Sequence, residues 1–160
     1  MTRYIFSLGL AGGLTLICFL ALLPSEKYLL ENWLEITPLA GTTQQEWLQT
    51  FIDMGFYTLI IAAIFTVFWH TVGYFKYQIL NWKSAGGNGF WWICLILMMI
   101  VIVIFGYLVI SPTQDIGRYI SSALYTLNGV IIFWLSSLIL SPSTVKYAPL
   151  GAMRFWKLFS

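Results

Sequence analysis

His70 is the one histidine of this 160-residue chain, and it lies within a long apolar stretch. Histidine titrates near neutral pH and can act as general acid, general base or proton carrier. That chemistry normally recruits a second titratable group, and no carboxylate shares its depth within the stretch. Thr58, Ala62, Thr66 and His70 recur at every fourth residue and so form one stripe on a helix. Thr66, a backbone carbonyl or water can then hold the imidazole as a structural group, with a proton-linked or pore-lining role as the other expectation. Cys18 and Cys94 are the two cysteines, and they fall in separate apolar stretches. Both read as small packing residues. One histidine and two isolated cysteines lack zinc-ligand spacing, so no metal is expected. Glu46 and Asp53 lack an evident facing partner, and a helix N-terminus explains Glu46. The glycines of Lys83-Ser84-Ala85-Gly86-Gly87-Asn88-Gly89 follow the lysine, the reverse of a phosphate-binding loop. No cofactor signature is present, and the chain reads as non-enzymatic.

The other polar candidates belong to helix contacts. Ser121, Ser122, Tyr125, Asn128, Gly129 and Ser136 share one broad helical face, which Phe133 interrupts, while Leu124, Val130, Ile131 and Leu138 point elsewhere. An unpaired amide in hydrocarbon costs several kcal/mol, so Asn128 should face protein or water. Packing between helices is the main expectation, and lining a pore made by several copies is the alternative. Gly9 and Gly13 form a GxxxG pair beside Ser7 and Ala11, a surface that lets two backbones approach closely. Its partner is either another helix of the same chain or another subunit.

These residues sit on four stretches, at about residues 5–23, 55–75, 91–110 and 119–140, that contain no Asp, Glu, Lys or Arg. Hydrophobic residues make up 59% of the chain and charged residues only 9%. A soluble domain carries about a quarter charged residues, whereas about 20 apolar helical residues cross a bilayer. Residues 93–104 are uniformly apolar, without the alternation of a β-barrel strand. The fold class is therefore an all-α integral membrane protein with four transmembrane helices in a single domain. Arg3, Lys76, Lys83, Lys146, Arg154 and Lys157 fall on one side of this map. Glu26, Glu31, Glu35, Glu46, Asp53 and Asp115 fall on the other, with Lys27 and Arg118. The positive-inside rule then puts both termini in the cytoplasm, in a bacterial inner membrane. The scattered basic residues form no stripe for nucleic acid.

Residues 24–54 form the outer segment. Pro24 is expected to end the first span, and Ser25 to cap a short helix running to about Glu35. Tyr28, Leu29, Leu30, Trp33 and Leu34 would share its apolar face, leaving Glu26, Glu31 and Glu35 towards water. The turn Pro38-Leu39-Ala40-Gly41 follows. Thr43-Gln44-Gln45-Glu46 matches a capping box, so a helix should start there and run unbroken to near Leu80. Trp33, Glu46 and Trp47 are the expected outer interaction surface. Trp69, Tyr74, Tyr77 and Trp82 mark the inner headgroup level. The third span, apolar all round, should face lipid widely and form an antiparallel hairpin with the fourth. The tail, residues 143–160, offers Arg154, Trp156 and Lys157 as inner-leaflet anchors. The first span resembles a signal peptide, but it lacks a small-x-small cleavage site and is expected to be retained.

The expected function is a non-enzymatic inner-membrane subunit of a larger homo- or hetero-oligomeric assembly, of the secretion or conjugation kind. Its partners are the lipid bilayer and other membrane subunits. A homo-oligomeric pore or membrane-perturbing defence effector, a toxin-immunity protein, and a membrane enzyme using His70 are the rival expectations. Four-span inner-membrane proteins of this size occur in all but the last of these settings, an analogy of size and topology alone.

Overall fold

The structure, a computed structural model, describes residues 2–33, 43–73, 87–109 and 115–140. These form α1 (Thr2–Trp33), α2 (Gln44–Gly73), α3 (Gly87–Val109) and α4 (Asp115–Leu140), with no strand among the described residues. Each helix contains a segment long and apolar enough to cross a membrane: Gly12–Asn32, Gln44–Val72, Gly89–Leu108 and Gly117–Leu138. This fits a multi-pass membrane protein. Glu35, the turn at 38–41, Tyr74, Tyr77, Trp82, the glycine-rich turn up to Gly86 and the tail with Arg154, Trp156 and Lys157 lie outside the described residues. The side chain of Trp33 does too.

Ring contacts give the relative directions. Phe19 of α1 meets Phe56 of α2, and Leu23 lies against Gly55, so α1 and α2 are antiparallel. Tyr57 approaches Phe105 while Phe68 approaches Phe90, which makes α2 and α3 antiparallel. The pairs Tyr107–Tyr119, Gly106–Ser122 and Trp91–Ser137 make α3 and α4 the expected antiparallel hairpin. Helices α2 and α4 each touch the three others, whereas α1 and α3 do not touch among the described residues. The core therefore lies along the α2–α4 diagonal.

The capping box forms atom for atom. The Thr43 amide donates to Glu46 Oε2 at 2.9 Å, and the Glu46 amide donates to Thr43 Oγ1 at 3.2 Å. Two orphan donors at the start of α2 are thereby satisfied. In α3, Trp91, Cys94, Leu95, Met98, Ile102 and Gly106 are buried at helical spacing. Ile93, Ile96, Leu97, Ile100, Ile104 and Leu108 point outward, a surface compatible with bilayer contact. Cys18 and Cys94 are buried free thiols.

Five expectations are corrected. Pro24 does not end the first helix but stands inside α1. Leaving the helix there would expose several backbone groups that hydrocarbon cannot solvate. One interrupted bond at the proline costs less. Ser25 accordingly caps nothing; its hydroxyl donates to the Leu22 carbonyl at 2.8 Å. The amphipathic face proposed for this segment is also absent. Tyr28 and Leu29 are exposed, while Glu26 and Leu30 are buried. Glu31 does face outward. Trp47 is 1% exposed and tilted against Phe51, so it belongs to the core and not to an outer surface. Leu138 likewise points inward.

Three inward glycines mark close helix approaches. A Cβ at Gly55 would lie 2.6 Å from Leu23 Cδ2 and 3.2 Å from the Tyr125 ring. One at Gly106 would lie 3.4 Å from Ser122 Cα, and one at Gly129 would strike Ile102. By contrast, a Cβ at Gly9, Gly12 or Gly13 would meet nothing within 4 Å. Among the described residues, the GxxxG pair therefore meets no other helix. These facts predict opposite outcomes for one substitution at two places. Gly55→Val should destabilise the bundle by about 1–3 kcal/mol through overpacking, whereas Gly13→Val should change stability by only a few tenths of a kcal/mol. Denaturant titration of the purified variants in mixed micelles measures both.

Candidate functional site

The polar face foreseen on α4 turns wholly inward. Ser121, Ser122, Tyr125, Asn128, Gly129 and Ser136 are all buried, and Ser137 joins them. Asn128 lies near the middle of α4 and is 1% exposed. Its Nδ2 donates to Oε2 of Glu26 at 2.8 Å. Glu26 is 7% exposed, on the second half of α1. The bond joins helices 102 residues apart in sequence. Among the described residues Asn128 is the hydrogen-bond partner of this carboxylate, and no cation pairs with it. Oδ1 of the same amide is buried and accepts no hydrogen bond.

One turn away along α4, the Tyr125 hydroxyl donates to the Phe51 carbonyl of α2 at 2.7 Å. The two rings stack with centroids 4.9 Å apart and planes 17° from parallel. Towards the other end of α4, Trp91 Nε1 donates to Ser137 Oγ at 2.9 Å. The Ser137 hydroxyl in turn donates to the Trp134 carbonyl at 2.9 Å. Trp91 and Trp69 both pack on Phe133. The residue that interrupts the polar face is therefore its aromatic anchor.

Thr58, Ala62, Thr66 and His70, the stripe on α2, all face inward. Thr58 donates to the Gly55 carbonyl at 2.7 Å, and Thr66 to the Ala62 carbonyl at 2.8 Å. These hydroxyls close on their own helix, a common use in transmembrane segments. His70 packs beside Trp69 with ring centroids 6.3 Å apart. No group of three His, Cys, Asp or Glu side chains comes together among the described residues. Glu46 is exposed and engaged in its cap, and Asp53 accepts from Gln49 Nε2 at 3.1 Å. At the Asp115 end of α4, the Arg118 guanidinium lies 5.9 Å from the centre of the Tyr107 ring, a cation–π arrangement.

Sequence reasoning found Asn128 and missed Glu26. The signal was available, because Cys18, Leu22, Glu26 and Leu30 recur at every fourth residue and continue the buried side of α1. Counting the carboxylate with the outer charges concealed it. Compared with known proteins, the chain matches no family model, no curated sequence and no solved structure.

Chemically, the site is one carboxylate and one amide buried between α1 and α4. It can fix helix register and hold a proton. It has no nucleophile with an adjacent base among the described residues. A substitution cycle measures its structural part. Asn128→Leu should cost about 3 kcal/mol, because it strands a buried carboxylate. Replacing both residues, Glu26→Leu with Asn128→Leu, should recover most of that loss, since no polar group is then left alone. Reversible unfolding in mixed micelles of the two single variants and the double variant gives the coupling energy.

Proposed function

We propose that the chain is a non-enzymatic inner-membrane subunit of a larger multiprotein assembly of the envelope-transport or secretion kind. In this reading both termini face the cytoplasm, following the distribution of Arg3, Lys76, Lys83 and the basic tail. One observation carries the proposal. At Gly55 of α2, Gly106 of α3 and Gly129 of α4, another helix of the chain has closed on the glycine. Gly9, Gly12 and Gly13 of α1 are the same kind of surface with no neighbour among the described residues. Small residues replace the missing hydrophobic drive between helices in lipid by admitting close van der Waals contact. The first half of α1 is thus suited to a transmembrane helix of another subunit.

The rival pore reading has less support. Its lining was to be the Asn128 face of α4, and that face is packed against the chain's own helices. A channel wall would have to come from elsewhere.

Gly13→Leu separates assembly from folding. The variant should retain the helical content and micellar stability of the native chain, because its side chain enters open space. It should also lose photo-crosslinks from residue 9 to the neighbouring subunit in native membranes, and the complex should shrink in mild-detergent chromatography. A native chain that elutes alone and gives no crosslink from residue 9 to another membrane protein removes the proposal.

A further inference from the structure

We infer that Glu26 and Asn128 form an intramembrane proton-binding site. Four observations converge on it. The carboxylate lies in the bundle interior, within the α1 segment long and apolar enough to cross a membrane. Among the described residues it is bonded to the Asn128 amide, with no basic partner. An ionisable group so placed is expensive to keep unless it serves an ion or proton. The other end of the amide, Oδ1, is buried and receives no hydrogen bond. Finally, the 2.8 Å contact leaves no room for a metal ion between the two side chains.

The amide explains how such a site works in either state. The observed Nδ2–H contact to Oε2 suits an ionised Glu26, whose carboxylate oxygens only accept. When a proton binds to a carboxyl oxygen, the acid becomes an O–H donor. A half-turn of the Asn128 amide then presents Oδ1, the unused acceptor, to that donor. The α1–α4 contact survives both loading and unloading, with donor and acceptor exchanged. A serine could also serve both states; an amide does so with its donor and its acceptor on opposite branches of a planar head. No covalent bond other than O–H is made or broken, and the proton comes from and returns to water.

The neighbouring groups do not supply a competing charge. On α4, Tyr125 sits one turn from Asn128 with its hydroxyl committed to Phe51, and Arg118 lies ten residues away, about 15 Å along the helix. On α2, Glu46 and Asp53 are exposed and bonded to Thr43 and Gln49. His70 lies towards the opposite end of α2, at the level of Trp69 and Phe133. On α1 itself, Lys27 is half-buried, while Tyr28 and Glu31 are exposed.

The test is infrared difference spectroscopy of the full chain in liposomes, stepped through pH. The wild type should show a carboxylic-acid C=O band that appears and disappears with pH. That band should be lost in Glu26→Gln, a variant close in shape and able to keep the Asn128 contact. Asn128→Leu should shift the band, because the acid then loses its hydrogen-bond acceptor. If the wild-type minus Glu26→Gln difference contains only ionised carboxylate at every pH, or only acid at every pH, the site does not exchange protons and the inference fails. Should Glu26→Gln not fold, solid-state NMR of wild type labelled with 13C-glutamate decides the same point. The carboxyl carbon in contact with the Asn128 side-chain nitrogen must change chemical shift with pH, and a constant shift overturns the inference.

Discussion

Asn128 cannot turn outward without stranding an amide in hydrocarbon, where an unmade hydrogen bond costs several kcal/mol. Glu26 is bound by the same constraint more tightly, since it carries an ionisable group. Their meeting settles which side of α1 faces the bundle. Hydrophobicity alone could not decide this, because Leu16, Ile17, Leu20 and Leu29 are exposed apolar residues as oily as those buried. In lipid such side chains gain little from leaving one apolar surface for another. The polar pair breaks that degeneracy and sets both the rotation and the depth of α1 against α4.

From this contact the remaining helices follow in a short run of α4. Tyr125 reaches α2 through its hydroxyl and its ring, Asn128 reaches α1, and Gly129 admits Ile102 of α3. Three residues within one turn or so thus address three different helices. The layer formed by Leu23, Gly55, Phe51 and Tyr125 lies one turn from the carboxylate–amide pair on both α1 and α4. Polar bonds choose the neighbours here, and glycines and aromatic stacking set how closely they come. Glycines alone do not suffice: Gly9, Gly12 and Gly13 on the first half of α1 meet no partner among the described residues.

Much of this was legible because the rules involved are local. The uniform apolar runs required helices, the capping box placed the start of α2, and the spacing of Ser121, Ser122, Tyr125 and Asn128 put them on one face turned from lipid. What failed were rules calibrated in water. A proline ends a helix where solvent can take the released carbonyls, yet at Pro24 the helix continues because the surroundings cannot. A glutamate beside a lysine and two turns before a polar loop reads as exposed. Glu26 is instead buried because its partner lies 102 positions away, a distance no local pattern spans. Trp47 misled for a similar reason: it follows an exposed cap residue but turns onto Phe51. The absence of an intra-chain partner for Gly9 and Gly13 depended on where the other three helices ended up.

The continuity of α1 through Pro24 joins two features that the expected break would have separated. Its first half presents the open glycines, and its second half carries the buried carboxylate. Gly13 and Glu26 are about 20 Å apart on one helical rod. A broken helix would let a partner docked on the glycines move without disturbing the core. On a continuous helix, rotation or sliding of the first half displaces Glu26 relative to Asn128. A shift of even 1 Å lengthens a 2.8 Å hydrogen bond beyond the range in which it holds. The open glycine face and the buried polar pair therefore share one mechanical element, and the state of each constrains the geometry available to the other.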